Sequence, residues 1–171
     1  MLAPGQPRAC PSTRSNARGL LWEGGGYSDS ATIGSVVTRL LPHTADLSVE
    51  VEAPTKRALF SEFARALTDL MVEGEVRPSH QEVVSLSAAD PLSLLVRFLN
   101  ELIFLWEDRY FLTGDIRFTE WKRLSLQAVF LGEPFSPDRH RVSHGVKAAT
   151  YHQLQLVRIG RVWRGQVLFD V

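Results

Sequence analysis

Two carboxylates at the ends of expected strands are the groups in this 171-residue chain best suited to bind something. Asp46 closes the segment Leu41-Pro42-His43-Thr44-Ala45-Asp46, which opens a strand, and Asp170 stands one residue before Val171, the last of the sequence. Read as a C-terminus, Val171 adds an α-carboxylate, so two anionic groups lie one residue apart on a strand whose apolar pattern is that of a buried one. Like charges that close repel unless a cation joins them. A hard divalent ion, Ca2+, Mg2+ or Mn2+, takes oxygen ligands, and Asp46 would supply a third carboxylate. The plainer alternative is that Asp46 caps a turn and the terminus frays into water. Spacing alone leaves both open.

A second cluster lies in Val146-Lys147-Ala148-Ala149-Thr150-Tyr151-His152, which enters a strand from a glycine-containing loop. Lys147, one of three lysines, could neutralise a carboxylate cluster or hold a phosphate, or could be an ordinary solvated lysine. His152 could be a base or a ligand, although on an alternating strand a histidine is more often satisfied and partly buried. His140 and His144 are four apart but fall in an expected loop, so the helical one-face argument for a paired zinc site does not apply; with Arg139 and Arg141 they make at most a basic contact surface. Cys10, the single cysteine, can form neither an internal disulfide nor a cysteine-based zinc site, which fits a reducing compartment. No phosphate-cradling or dinucleotide glycine loop follows a strand, no Gly-x-Ser-x-Gly elbow occurs, and no Lys-x-Asp-Gly signature surrounds Lys147. The common enzyme templates are missing.

The elements that must position these groups are legible from residue 47 onward. Leu47, Val49 and Val51 alternate with Ser48, Glu50 and Glu52 in the period of a half-buried strand stopped by Pro54. Thr55 then caps a helix whose stripe is Leu59, Phe60, Phe63, Ala64, Leu67, Leu70 and Met71, closed by Gly74. After a short alternating stretch (Val84, Leu86, Ala88), Asp90-Pro91 caps a second helix with its stripe at Leu92, Leu95, Leu99, Leu102, Ile103 and Trp106. Beyond Gly114, residues 116–121, 124–131, 151–158 and 162–171 read as strands, with a loop from Gly132 to Gly145 and a turn at Gly160. The expectation is an α+β domain over 37–171, two amphipathic helices packed on one face of a mostly antiparallel sheet of about six strands. Residues 1–36, rich in Pro, Ser, Gly and Arg without periodicity, read as a disordered extension.

Nineteen Lys and Arg balance nineteen Asp and Glu, which excludes a bulk cationic field for non-specific nucleic-acid binding and makes any RNA contact local. The balance conceals an asymmetry: residues 43–115 hold six basic and thirteen acidic groups, residues 116–171 nine and four. The longest apolar stretch, Leu92 to Trp106, is interrupted by Arg97, Asn100 and Glu101, so no membrane partner is expected; no signal-peptide run occurs, and the reading is cytoplasmic.

Read together, His43-Thr44-Ala45-Asp46, Leu94-Leu95 through Asn100-Glu101-Leu102, Gly132-Glu133, Val146-Lys147-Ala148 with Thr150-Tyr151-His152, and the ending Asp170-Val171 resemble the archease family over about residues 37–171. The resemblance implies a non-catalytic helper of the RtcB-type RNA ligase, which joins 2′,3′-cyclic-phosphate or 3′-phosphate RNA ends to 5′-hydroxyl ends in tRNA splicing or RNA repair. It implies promotion of ligase guanylylation and multiple turnover, and a divalent ion, Ca2+ before Mg2+ or Mn2+, on Asp46, Asp170 and Val171. His43, Glu133, Lys147 and His152 match recurrent family positions and are candidate partner contacts, with RNA contact indirect or weak. Pro54-Thr55-Lys56-Arg57 departs from the family's glycine and acidic turn, putting in doubt any partner contact there. The rival readings are a metal-dependent phosphoesterase or nuclease built on the same carboxylates, and a chaperone-like binding module with a structural metal.

Overall fold

The computed structural model describes residues 37–42 and 46–171. Val37–Pro42 (β1) pairs antiparallel with Asp46–Ala53 (β2), whose Val49, Val51 and Ala53 are buried, while Glu50 and Glu52 face outward. Pro54 ends the strand, and the Thr55 hydroxyl accepts the Ala58 amide at 3.1 Å to start Lys56–Met71 (α1). Val72–Glu73 (β3) and His80–Ser87 (β4) lead to Pro91–Arg109 (α2). The Asp90 carboxylate caps α2, accepting from the Leu92 and Ser93 amides at 2.9 Å, and its hydrogen bonds from Ser93 hold its pKa below the usual range. Tyr110, in the left-handed region at φ 51°, ends the helix and turns the chain into Phe111–Trp121 (β5).

Ser125–Pro134 (β6), Arg141–Val142 (β7), Ala148–Ala149 (β8), Gln155–Ile159 (β9) and Val162–Asp170 (β10) complete the chain. In the largest sheet, β2 lies between β1 and β10, and β8 and β9 both pair with β10; β6 lies between β4 and β5 in a second sheet, and β3 pairs with β7. All pairs are antiparallel. α1 packs on β2, β5 and β10, and α2 on β4, β5 and β8. Between them lies a core in which the Phe98 ring meets Phe60 at 5.1 Å and Phe130 edge-on at 5.6 Å. Among the described residues no helix is long and apolar enough to cross a membrane.

The α+β class, both helices and their N-caps are as the sequence implies, but the first helix ends at Met71 with Val72 as its C-cap, before the expected stop at Gly74, because the chain passes directly into β3. The strands differ in number and grouping: there are ten among the described residues, in three sheets. Strands β3, β7 and β8 are two residues each, too short to carry a period, and form because a neighbouring backbone is within reach. β5 begins at Phe111, before the expected break at Gly114, which is absorbed as a register shift between Thr113 and Asp115. Likewise Gly132-Glu133-Pro134 belong to β6 and not to the loop, and the expected strand over 151–158 starts only at Gln155. The reason lies at Gln153, whose φ of 50° belongs to a turn. Residues 1–36 lie outside the described residues.

Close packing at Gly132 makes a test. A Cβ there would lie 1.8 Å from the Leu112 carbonyl oxygen, a backbone atom that cannot step aside. Gly132→Ala should therefore cost about 3 kcal/mol or more by urea denaturation, whereas Gly145→Ala, with nothing within 4 Å, should stay within about 0.5 kcal/mol of the parent.

Candidate functional site

The β2–β10 register decides which strand-end groups meet. Phe169, fully buried, pairs with Leu47, so the next step sets Asp170 directly opposite Asp46, and on its other side Asp170 pairs with Ala148. Directly opposed residues of an antiparallel pair point to the same face with Cα atoms about 4.5–5.5 Å apart. Two carboxylates are thus held side by side at one end of the largest sheet, Asp170 exposed and Asp46 half-buried. Among the described residues neither carboxylate has a hydrogen-bond partner or an ion pair.

A cation at this end is Lys147. Its backbone amide donates to the Asp170 carbonyl at 2.8 Å, and its Nζ donates to the Val171 oxygen at 3.0 Å. The loop that carries it is held from behind by α2: Asn100 donates to the Ala149 carbonyl at 3.1 Å and accepts the Ala149 amide at 2.9 Å. Thr150 continues the clamp, its amide donating to the Leu168 carbonyl at 2.9 Å. Asn100 was legible only as part of a family pattern; the physical signal was an amide inside an otherwise apolar helix stripe. Val171 packs half-buried against the core, so the chain's last residue is fixed beside the two aspartates.

This donor set is all oxygen and anionic, which fits a hard divalent cation and does not fit a soft or nitrogen-preferring one. Among the described residues no group of three or more His, Cys, Asp or Glu side chains is placed to hold a metal ion. The aspartate pair would therefore need its further oxygens from Val171 and water.

The remaining candidates fall elsewhere. Glu133, on β6, is 4% exposed, and its carboxylate is consumed internally. Arg139 grips it with both guanidinium nitrogens, Nη1 donating to Oε1 at 2.9 Å, and the Arg77 amide donates to Oε1 at 2.7 Å. The hydrogen bonds from Arg139 lower its pKa to about 2, against the opposing pull of burial and with help from the Arg77 amide. His140, expected on a basic contact surface, is instead 3% exposed: the Ser136 amide donates to its Nδ1 at 3.0 Å and its Nε2 faces the Glu75 carbonyl at 3.3 Å. Arg139 is likewise tied to Glu133 and is not free for phosphate. His152 sits in an exposed turn, not on a strand, because the chain folds back at Gln153 before β9 begins. His43 lies outside the described residues.

Comparison with known proteins places the chain in a family. Residues 39–171 match the model of the "Archease protein family (MTH1598/TM1083)". The archease of Methanosarcina acetivorans is 32% identical over 136 residues, covering 77% of this chain and 93% of that protein, and the archease of Methanopyrus kandleri is 33% identical over 135 residues, covering 77% and 96%. Among solved structures, Methanobacterium thermoautotrophicum protein 1598 superposes with a TM-score of 0.67 at 22% identity, covering 78% of this chain and 98% of its own. A Thermotoga maritima archease, described as a possible chaperone, gives a TM-score of 0.52 at 20% identity over 85% and 100%. The two structures show the same fold.

The Glu133 knot has a pH signature whose sign is fixed by its depressed pKa. Between the ordinary value of 4.5 and about 2 the unfolded chain binds the proton and the folded chain does not, so stability from this group is complete above pH 4.5 and is lost as pH falls toward 2. Glu133→Gln should destabilise the protein by about 3 kcal/mol at pH 7. In urea melts from pH 6 to 2.5 the gap between parent and variant should narrow as pH falls; a constant gap would mean the carboxylate charge is irrelevant.

Proposed function

The chain belongs to the archease family, and from that membership and the acidic end of its β2–β10 pair we propose that it is a non-catalytic activator of an RtcB-type RNA ligase. In this reading it serves tRNA splicing or RNA repair in the cytoplasm, promoting guanylylation of the ligase and its multiple turnover. The observation that supports it most directly is the cross-strand opposition of Asp46 and Asp170. Opposed like charges destabilise a sheet, so the fold gives no reason for setting them there and a bound cation would. A divalent ion, Ca2+ first and Mg2+ or Mn2+ next, would be held by Asp46, Asp170 and the Val171 terminus. Such an ion supplies concentrated positive charge for phosphate or carboxylate oxygens of a partner.

What this chain's own residues do follows from their placement. Lys147, anchored to the Val171 oxygen, limits the net negative charge of the edge and fixes the terminus in position. Asn100 and Thr150 hold the Lys147 loop against β10, so the edge is presented as a rigid surface. Among the described residues no third His, Cys, Asp or Glu side chain joins the two aspartates, and His152 is on a separate turn, which supports a presenting role over hydrolysis. A chaperone-like binding module is the second reading, favoured by the description of the Thermotoga maritima relative.

Two measurements test the proposal. In multiple-turnover joining of a 2′,3′-cyclic-phosphate RNA with the cognate ligase limiting, the parent should stimulate and Asp46→Ala and Asp170→Ala should lose most of the stimulation while remaining folded. Independently of the ligase, Asp170→Asn should be at least as stable as the parent in a chelator, because a repulsion is removed. Millimolar Ca2+ should raise the melting temperature of the parent alone, by mass action on the folded state. Equal stabilisation of both by Ca2+ would remove the aspartate pair as a metal site, and full stimulation by both alanine variants would remove it from activation.

A further inference from the structure

The end of the largest sheet opposite the aspartates gathers cations, most of which make no ion pair among the described residues. Lys56 and Arg57 occupy the first turn of α1, where the helix dipole disfavours positive charge, and that turn contains no acidic residue. Arg57 lies over the Trp121 ring at 5.9 Å, and Lys56 over the Trp163 ring at 4.4 Å. Trp121 ends β5, and the Lys122 amide closes the following turn on the Ser125 carbonyl at 2.8 Å, leaving Arg123 at the turn's tip. Ser125 pairs with Ser87, whose carbonyl accepts from Arg97. An unbroken chain of contacts therefore brings cations from α1, α2 and the β5–β6 turn to one pole.

Among the described residues Lys56, Arg57, Arg97 and Arg123 make no ion pair, and Arg57, Arg97 and Arg123 are exposed. Lys122 alone is paired, with Glu120 at 2.9 Å, and both side chains are more than half exposed. The two indoles are half-buried, each with one region packed inside and an outward region shared with a cation. Alternation of unpaired cations with partly open aromatic rings is the composition of a single-stranded nucleic-acid surface, where phosphates meet the cations and bases stack on the rings. An acidic peptide would use the cations but not the outward regions of the indoles, whose inner regions pack on the core.

We infer that the pole built from Lys56, Arg57, Arg123, Trp121 and Trp163 binds single-stranded nucleic acid. Its identification as RNA rests on the function proposed above. Neither the neutral overall charge nor the acidic edge opposes this, because the cations are concentrated locally.

The test uses the full chain without ligase and a fluorescent twelve-nucleotide single-stranded RNA, read by anisotropy. With about three phosphates neutralised, log affinity should fall with log salt at a slope of about −2, roughly twentyfold between 50 and 200 mM KCl. Arg57→Glu with Arg123→Glu should weaken binding at least tenfold and flatten that slope. Arg77→Glu with Arg141→Glu, the same charge change on exposed residues beyond the far, C-terminal end of α1, should stay within about threefold of the parent. RNA should also quench indole emission, less so in Trp163→Phe. Equal losses in the two double variants, the absence of saturable binding at 50 mM KCl, or binding to phosphatidylserine vesicles in place of RNA would each overturn the inference. A chain that stimulates the ligase yet binds no RNA overturns this surface and leaves the proposed function standing; one that binds RNA yet fails to stimulate does the reverse.

Discussion

The pairing of β2 with β10 is the constraint from which the placement of both charged ends follows. Val49 faces Val167 and Val51 faces Gly165 across the ladder, and the missing side chain at Gly165 is needed because a Cβ there would lie 2.7 Å from the Phe63 ring of α1. Slipping the register by one residue would carry Glu50 and Glu52 toward the core and expel the valines. Packing of α1 therefore fixes the ladder, and the ladder carries Asp170 to Asp46 at one end and Trp163 to Ala53, beside Lys56, at the other. The cross-strand pair of Arg164 and Glu52 on the outer face agrees with the same register.

Glu133 and the Asp46–Asp170 pair show how environment separates a structural carboxylate from an available one. Glu133 is buried, but each of its oxygens is met by a donor, and its charge ties β6 to the loop through Arg139 and to the β3–β4 connection through the Arg77 amide. A buried charge so paired is costly to disturb and has nothing left to offer a ligand. The aspartates are the reverse: partly or fully exposed, mutually repelling and without donors among the described residues. The sequence marks Asp46 and Asp170 as a charge problem and Glu133 only through a family resemblance, and it is the hydrogen-bond inventory that shows Glu133 to be structural.

The parts of the fold that were legible are those whose periodicity is set by burial. β2 alternates because one face meets α1; α1 and α2 carry continuous stripes; Asp90-Pro91 and Thr55 announce helix starts through chemistry local to the cap. The parts that were not legible depend on distant partners. β8 is two alanines held by Asn100, about fifty residues earlier in the chain, and β7 exists because Val142 finds Val72. The site divides in the same way: Asp46, Asp170 and Val171 were readable as a charge problem, whereas the burial of His140 and the exposure of His152 depend on the path of loops that carry no period.

The two ends of the β2–β10 ladder differ in what they can bind and are too far apart to act on one small ligand. Seven residue steps separate Asp46 from Ala53, which at about 3.3 Å per residue is roughly 23 Å. That exceeds the screening length of about 8 Å at physiological ionic strength, so the acidic end and the cationic end do not neutralise each other and each keeps its own field. A mononucleotide or a single phosphate could engage only one of them. A protein partner carrying an RNA could engage both, its own site facing the aspartates while the strand it holds runs along the ladder to the indoles. The rigidity of the central strand pair would then set the distance between the partner's site and the RNA segment that this chain holds.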